Sequence, residues 1–384
     1  MNKKWYLVVV SILLCAVMLP TGCATSNPTA SEPVESKEVS EPSTPVTDTE
    51  QPVLIVGVLY GGPITDAGYN QALHDSVVVM QENIENVKVL EAENVPDEAG
   101  ATSTMENMIK QGAELIIATA FNHQYPALEL AEKYPDVIFE HVGGWEVSSN
   151  FGNFFGAPPD AWYLMGIAAG MTTETNKLGF VAAYPMGWTA TFVNAFSLGA
   201  QSVNPDIQTI VAYTFSWGDR AKEADTTNSL INQGCDVITM HVDSPATVIS
   251  TAESRGVYSI GYQSLEAQQF APEYWISGTG FTFGEKITWI VSTVIDGTWQ
   301  PMYKRWGMSE GAMAIAPFGP NIPQEVEDAV YVARDAIDAG EIVVFAGPIK
   351  DQDGNIRVAE GETLTDDLMS STDWFVAGVV GQAS

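Results

Sequence analysis

The side chains with most chemical potential in this 384-residue chain collect where short apolar runs end. After the run 53–59 come Tyr60, Asp66, Tyr69 and Asn70. After 115–118 come Thr119, Phe121 and Asn122, and after 137–140 come His141 and Trp145. Farther along, such positions hold Tyr184 and Trp188, then Ser216, Trp217 and Asp219, then His241 and Asp243, then Tyr262 and Gln263. Aromatic faces can sandwich a flat or ring-shaped neutral molecule. Asp66 and Asp243 can accept from ring N–H, amine or hydroxyl donors, whereas Asn70, Asn122 and Gln263 can both donate and accept. No Lys or Arg stands at these positions before Arg220, which falls inside a helical pattern. Phosphate and carboxylate sites recruit Arg, Lys or glycine-rich helix starts, so the inventory argues for a neutral ligand. A heteroaromatic base or nucleoside fits it best, and a neutral sugar second.

Each residue also has a plain structural explanation, an aromatic as a lid over the core and an aspartate as a helix cap. Their recurrence at successive loops is what argues for a site. A catalytic reading is weaker. Asp66 and Asp243 could form a glycosidase pair, which requires two carboxyls roughly 5–10 Å apart. The chain has no G-x-S-x-G elbow, H-E-x-x-H pair or Walker loop. His74, His123, His141 and His241 lack metal-site spacing, with His74 and His241 the better placed for ligand contact. Cys235 precedes an apolar run and should pack as a small hydrophobe. No catalytic group, metal or cofactor is expected.

The elements that would position these residues follow from hydrophobic periodicity. Apolar runs at 53–59, 87–91, 115–118 and 137–140 read as strands, with helices at 66–82, 100–111 and 126–134 between them. A second series follows residues 151–155 and a helix near 162–171. Its strands are 177–183, 209–214, 237–240 and 258–260, and its helices are 189–203, 219–233 and 245–255. Strict strand–helix alternation implies parallel sheets covered on both faces. The fold class is therefore α/β, with two doubly wound parallel-sheet lobes and a cleft between them. Lobe 1 spans 52–157 and lobe 2 spans 158–274, while 275–384 supplies crossover segments that complete both.

The N-terminus says where the protein works. Lys3 and Lys4, the apolar run 5–19 and the small residues before Cys23 have the form of a secretory signal over 1–22. The run is short for a membrane span, which needs roughly 20 apolar residues. Residues 23–51 are Ser, Thr, Pro and Glu with few large apolar side chains, a solvated tether. Formal net charge is −32, which opposes nucleic acid and anionic membrane as partners. With Cys15 in the leader, the three cysteines offer no disulfide framework to the mature chain.

These residues carry a family resemblance. The chain from about 53 to 290 resembles the BMP (basic membrane protein) family of extracytoplasmic substrate-binding lipoproteins, which serve ABC importers of purine nucleosides and bases. The resemblance rests on Gly62-Pro-Ile-Thr-Asp-Ala-Gly-Tyr-Asn70, Phe139-Glu-His141 and Gly166-Ile-Ala-Ala-Gly-Met171. It extends through Leu178-Gly-Phe-Val-Ala-Ala183, the stretch 194–205, Ser216-Trp-Gly-Asp219, Gly234-Cys-Asp-Val237 and His241-Val-Asp-Ser-Pro245. It implies a hinge-bending fold like the type I periplasmic binding proteins, without enzyme activity. It implies that Tyr69 and Asn70 stack on and hydrogen-bond a base, that Trp217 completes the sandwich, and that Asp243 holds a base N–H or ribose hydroxyls. Tyr60, Asn122, Trp145, Trp188, His241 and Gln263 complete the expected ligand wall. Cys23 matches the lipidated cysteine of a lipobox, with Pro20 where Leu is usual. The expected partners are a purine-type ligand, an ABC permease and, through the lipid, the membrane, with the protein itself a monomer. Two departures favour a free base such as adenine over a nucleoside. The family's Asp-rich loop is replaced by Gly261-Tyr-Gln-Ser264, and the segment 277–281 lacks the lysine that grips ribose. The alternatives are a neutral-sugar binder, a ligand sensor without a permease, and a nucleoside or glycoside hydrolase.

Overall fold

A computed structural model describes residues 54–95, 98–365 and 369–384. The signal 1–22, the lipidation site Cys23 and the tether 23–51 lie outside them.

The first half of the chain alternates as its periodicity requires. It runs β1 (Leu54–Leu59), α1 (Tyr69–Asn83), β2 (Val87–Ala92), α2 (Glu98–Lys110), β3 (Leu115–Ala118), α3 (Gln124–Lys133), β4 (Ile138–Val142) and β5 (Phe151–Gly156). All four residues of β3 are buried, as expected of a central strand covered on both faces. Then come α4 (Pro159–Thr172), β6 (Lys177–Ala182), α5 (Gly187–Val203), β7 (Gln208–Tyr213), α6 (Arg220–Asn232), β8 (Val237–His241), α7 (Ala246–Ser254), β9 (Tyr258–Gln263) and β10 (Trp275–Phe281). The C-terminal part holds α8 (Gly284–Ile295), β11 (Tyr303–Trp306), β12 (Met313–Ile315), α9 (Gln324–Asp338), β13 (Ile349–Lys350), β14 (Ile356–Val358) and β15 (Val379–Val380).

Two sheets result. The first has the order β11-β5-β4-β3-β1-β2 and the second β12-β10-β9-β8-β6-β7-β15. Every pair in them is parallel except β10 with β12. The chain passes between sheets three times: from β5 to α4, from β10 back to α8 beside α1, and from β11 to β12. β5 extends the first sheet, although its sequence, Phe-Gly-Asn-Phe-Phe-Gly, shows no period-two alternation. Both of its faces are covered, which removes the alternation.

The core of the second lobe gathers around Trp162 of α4. Its ring centroid lies 4.7 Å from that of Tyr262, 5.1 Å from Phe180 and 6.1 Å from Phe192. Cys235 is free and buried there, packed as a small apolar residue.

Candidate ligand-binding site

Each sheet reverses strand order beside its first strand, between β1 and β3 and between β6 and β8. Loops at such switch points diverge and leave a crevice outside the carboxyl ends of the strands. Here the two crevices face one another and form one cleft of about 600 Å³. The first lobe contributes Gly61, Gly62, Pro63, Tyr69, Asn70, Phe121, Asn122 and Phe155. The second contributes Tyr184, Met186, Trp188, Phe192, Ser216, Trp217, His241, Asp243 and Gln263.

Tyr69 and Asn70 open α1, and Asp66 fixes that turn. The Asp66 carboxylate accepts from the backbone N–H groups of Gly68 at 2.8 Å, Gln71 at 3.0 Å and Asn70 at 3.1 Å. It also accepts from Asn70 Nδ2 at 2.7 Å. Burial raises the Asp66 carboxyl, and these four donors act against the rise. Asp66 is thus a cap. It does not line the cleft, whereas Asp243 does. The Asn70 amide is largely committed as well, since its Oδ1 accepts from Gly62 N–H at 3.2 Å and holds the loop after β1. One N–H and one lone pair of that amide remain for a ligand. The Tyr69 hydroxyl donates to the Thr119 carbonyl at 2.7 Å, which leaves its ring as the group offered to the cleft.

Across the cleft, Trp217 stands in an aromatic group with Tyr184 at 5.6 Å and His241 at 5.4 Å. His241 is buried, shares a hydrogen bond of 3.2 Å with Thr189 Oγ1, and has its imidazole pushed down to about 3 by burial. It presents a neutral ring. Asp243 closes the wall. Burial pushes its carboxyl up to about 8, the Asp66 charge adds to the rise, and a hydrogen bond from Gln263 opposes it. Gln263 is buried and holds a left-handed φ of 80°, strain of the kind stored at functional sites.

Two expected wall residues lie elsewhere. Tyr60 is fully buried and donates its hydroxyl to Glu91 Oε1 at 2.7 Å, on the β2 side of β1. As the residue after the strand it continues the strand's alternation, which turns its ring into the core. Trp145 is 47% exposed and groups with Phe121 and Tyr125 on the surface. Gly143, at φ 89°, turns the chain there, and Gln124 Oε1 accepts from the Trp145 backbone N–H at 2.7 Å. His74 also stays out of the cleft, paired at 2.8 Å with Glu91. His123 and His141 bond to the carbonyls of Val95 and Ala120. No group of three or more His, Cys, Asp or Glu poised for a metal occurs among the described residues.

One charged residue was missed. Arg305, on β11, places its guanidinium 5.7 Å from the Trp188 ring and 5.7 Å from the Phe155 ring, both cleft residues. Its Nη2 donates to the Gly144 carbonyl at 2.6 Å. Nothing in its local sequence sets it apart, because β11 reaches the first sheet only after α8 has crossed back. Phe155 was missed for a related reason, since it lies on the strand whose pattern is hidden. The cleft therefore has a cation behind its aromatic wall, stacked on Tyr303 at 4.5 Å.

Two lobes on largely parallel sheets, joined by three crossings around a polar-aromatic cleft, give the fold of the two-lobed solute-binding proteins. The chain belongs to the Bmp family, described as ABC transporter substrate-binding protein PnrA-like, whose family model matches residues 53–346. It is 34% identical over 330 residues to a purine-binding protein of Brucella abortus, covering 85% of this chain and 93% of that one. It is also 34% identical over 328 residues to TsgA13 of Haloferax volcanii, whose name is that of a putative ABC transporter glucose-binding protein, covering 84% and 80%. Among solved structures, an ABC transporter solute-binding protein from Aeropyrum pernix aligns with a TM-score of 0.65 at 18% identity, over 83% of this chain and 96% of that one. One from Conexibacter woesei aligns with a TM-score of 0.63 at 16% identity, over 76% and 98%. The structural likenesses establish the two-lobed fold alone.

Proposed function

We propose that this protein captures a neutral purine-type molecule, a free base such as adenine in preference to a nucleoside, and delivers it to an ABC permease. The carrying observation is the pairing of aromatic rings from both lobes, Tyr69 and Phe155 against Trp217, Tyr184 and Trp188, with Asp243, Asn70 and Gln263 at their edges. Rings on both sides suit a flat molecule, and the edge groups suit its N–H donors and ring nitrogens. Arg305 lies over the Trp188 and Phe155 rings with a carbonyl on its Nη2, which suits a buttress of the wall better than an anion receptor. The preference for a base is supported by β10, where Ser277 donates to the Ala316 carbonyl and no residue of the strand lines the cleft. In this reading Cys23 carries the lipid, 23–51 is the tether, and the lobes work as a monomer outside the membrane. Among the described residues no helix is long and apolar enough to cross a bilayer.

A glucose-type ligand is the second reading, favoured by the name of the Haloferax relative. Aromatic and amide groups bind sugars too. A thermal-shift and calorimetric panel of adenine, guanine, adenosine, inosine, glucose and ribose decides between them. A ligand at 100 times its Kd should stabilise by about 2.7 kcal/mol. Adenine is expected to give the larger shift, whereas heat with glucose and none with any purine would replace the first reading by the second.

A further inference from the structure

The first turn of α1 needs acceptors for its leading N–H groups. Asp66 serves Asn70 and Gln71, and the Gly68 carbonyl serves Ala72. Tyr69 N–H alone finds its acceptor in the other lobe, the carbonyl of Asp243 at 3.2 Å. The two residues assigned to opposite cleft walls are thus joined to each other through their own backbones.

The approach is close because the residue before Tyr69 has no side chain. A Cβ on Gly68 would lie 2.1 Å from the Asp243 carbonyl oxygen and 2.4 Å from Pro245 Cδ. Ala67 just before it holds a left-handed φ of 58°, uncommon for a residue other than glycine, while Asp66 braces both sides of that kink. Two residues beyond Tyr69, Gln71 Nε2 donates across the lobes to Glu266 Oε2 at 3.1 Å. Gly68 itself does not line the cleft.

We infer that residues 66–69 form a clasp between the lobes, with Gly68 as the positioning residue that lets Tyr69 N–H reach the Asp243 carbonyl when the cleft closes. The inference rests on the capture reading and adds to it the contact that holds the closed state. When the lobes part, Tyr69 N–H and Gln71 Nε2 both exchange their partners in the other lobe for water. A side chain at position 68 holds the lobes apart and weakens ligand binding without touching ligand.

Closure can be read by substituting Gln71→Cys and Glu266→Cys in the full chain and following the rate at which a short bifunctional thiol reagent joins them. Cys235 is buried and should not compete, and Cys15 and Cys23 are replaced by Ser in this chain. Adding Gly68→Ala is expected to slow cross-linking at least fivefold without ligand, and to cancel any acceleration by adenine. Gly68→Ala on its own should raise the Kd for adenine at least tenfold while leaving the ligand-free Tm within about 2 °C of the parent. Equal cross-linking rates with and without Gly68→Ala would overturn the clasp. Loss of Tm without ligand in proportion to the loss of affinity would show a merely structural role and overturn it as well. A slowed rate together with no response of the parent to adenine would keep the clasp and reject the purine reading. Should Gly68→Ala fail to fold, the double-cysteine chain still decides: no cross-linking with or without adenine, in an otherwise folded protein, rejects the clasp.

Discussion

At the scale of single residues, the cleft separates groups that line it from groups that hold those groups. Trp217 belongs to the first kind. It is half-buried, its ring stands beside Tyr184 and His241, and its backbone carbonyl accepts from Asp243 N–H at 2.8 Å. Stacking of a base on an aromatic side chain contributes about 1–3 kcal/mol. Trp217→Ala is therefore expected to weaken adenine binding roughly 10- to 100-fold by calorimetry, with a much smaller change in ligand-free stability. Asp66 and Asn70 belong to the second kind, and their residue types alone conceal it. Glu140 is a buried acid outside the cleft lining. It is fully buried on β4, its Oε1 accepts from Trp299 Nε1 at 2.8 Å, and burial pushes its carboxyl up to about 8. Because the folded value lies above the ordinary 4.5, its contribution to stability is complete below pH 4.5, falls as the pH climbs to about 8, and is level above. Asp243 and Glu223, also raised by burial, slope the same way. The buried imidazoles His141 and His241, held down to about 4 and about 3, slope the other way up to pH 6.5. The urea midpoint of the ligand-free protein should therefore fall between pH 6.5 and pH 8, where the acids act alone, and Glu140→Gln should flatten part of that fall. An unchanged slope in Glu140→Gln would place the linkage on the other acids.

At the scale of elements, α4 and α5 set the geometry of the second wall. Their backbones approach so closely that a Cβ on Gly166 would meet the Phe196 carbonyl oxygen at 2.0 Å, and one on Gly199 the Tyr163 carbonyl oxygen at 1.9 Å. The clash is with backbone, which a change of side-chain rotamer cannot relieve. Since α5 carries Trp188 and Phe192 into the cleft, this packing fixes where the wall stands. Gly199→Leu should destabilise by about 3 kcal/mol or more in urea unfolding. A loss under about 1 kcal/mol would mean that the two helices can separate freely. The spacing of Phe192, Phe196, Gly199 and Val203 on one face was readable in the sequence, and α4 packs against all four, with Trp162 beside Phe192 and Phe196, Tyr163 against Gly199 and Gly170 against Val203. Val203 is 42% exposed, because the helix ends there.

At the scale of the whole molecule, the C-terminal segment joins the second lobe rather than trailing from it. β15 adds to β7, the buried Asn194 donates to the Trp374 carbonyl and accepts from Val376 N–H, and Thr191 donates to the Met369 carbonyl. These bonds give Asn194, part of a family-like stretch, a structural use on α5 outside the cleft lining. The family match stops at residue 346, yet removing residues 347–384 would strip away the buried Phe375 and leave buried amide and hydroxyl groups of α5 without partners. A chain ended after Ala346 is expected to unfold at least 10 °C lower than the full chain, or to aggregate. Retention of the full Tm would show that the segment is dispensable.

The sequence by itself determined the architecture, because period-two and period-3.6 patterns act locally and alternation of strand and helix leaves few topologies for a parallel sheet. It also placed Tyr69, Asn70, Asn122, Trp188, Trp217, His241, Asp243 and Gln263 at the strand ends that line the cleft, since in such sheets those ends converge. What it could not supply is direction and reach. Whether Tyr60 turns inward to Glu91, whether Trp145 turns outward, and whether the Asn70 amide is already engaged depend on partners elsewhere in the fold. Arg305 and Phe155 enter the site by sheet pairing between segments 150 residues apart, from Arg305 on β11 to Phe155 on β5. Only the tertiary structure brings Gly68 against Asp243, because closure of two lobes is a contact between surfaces that no local pattern encodes.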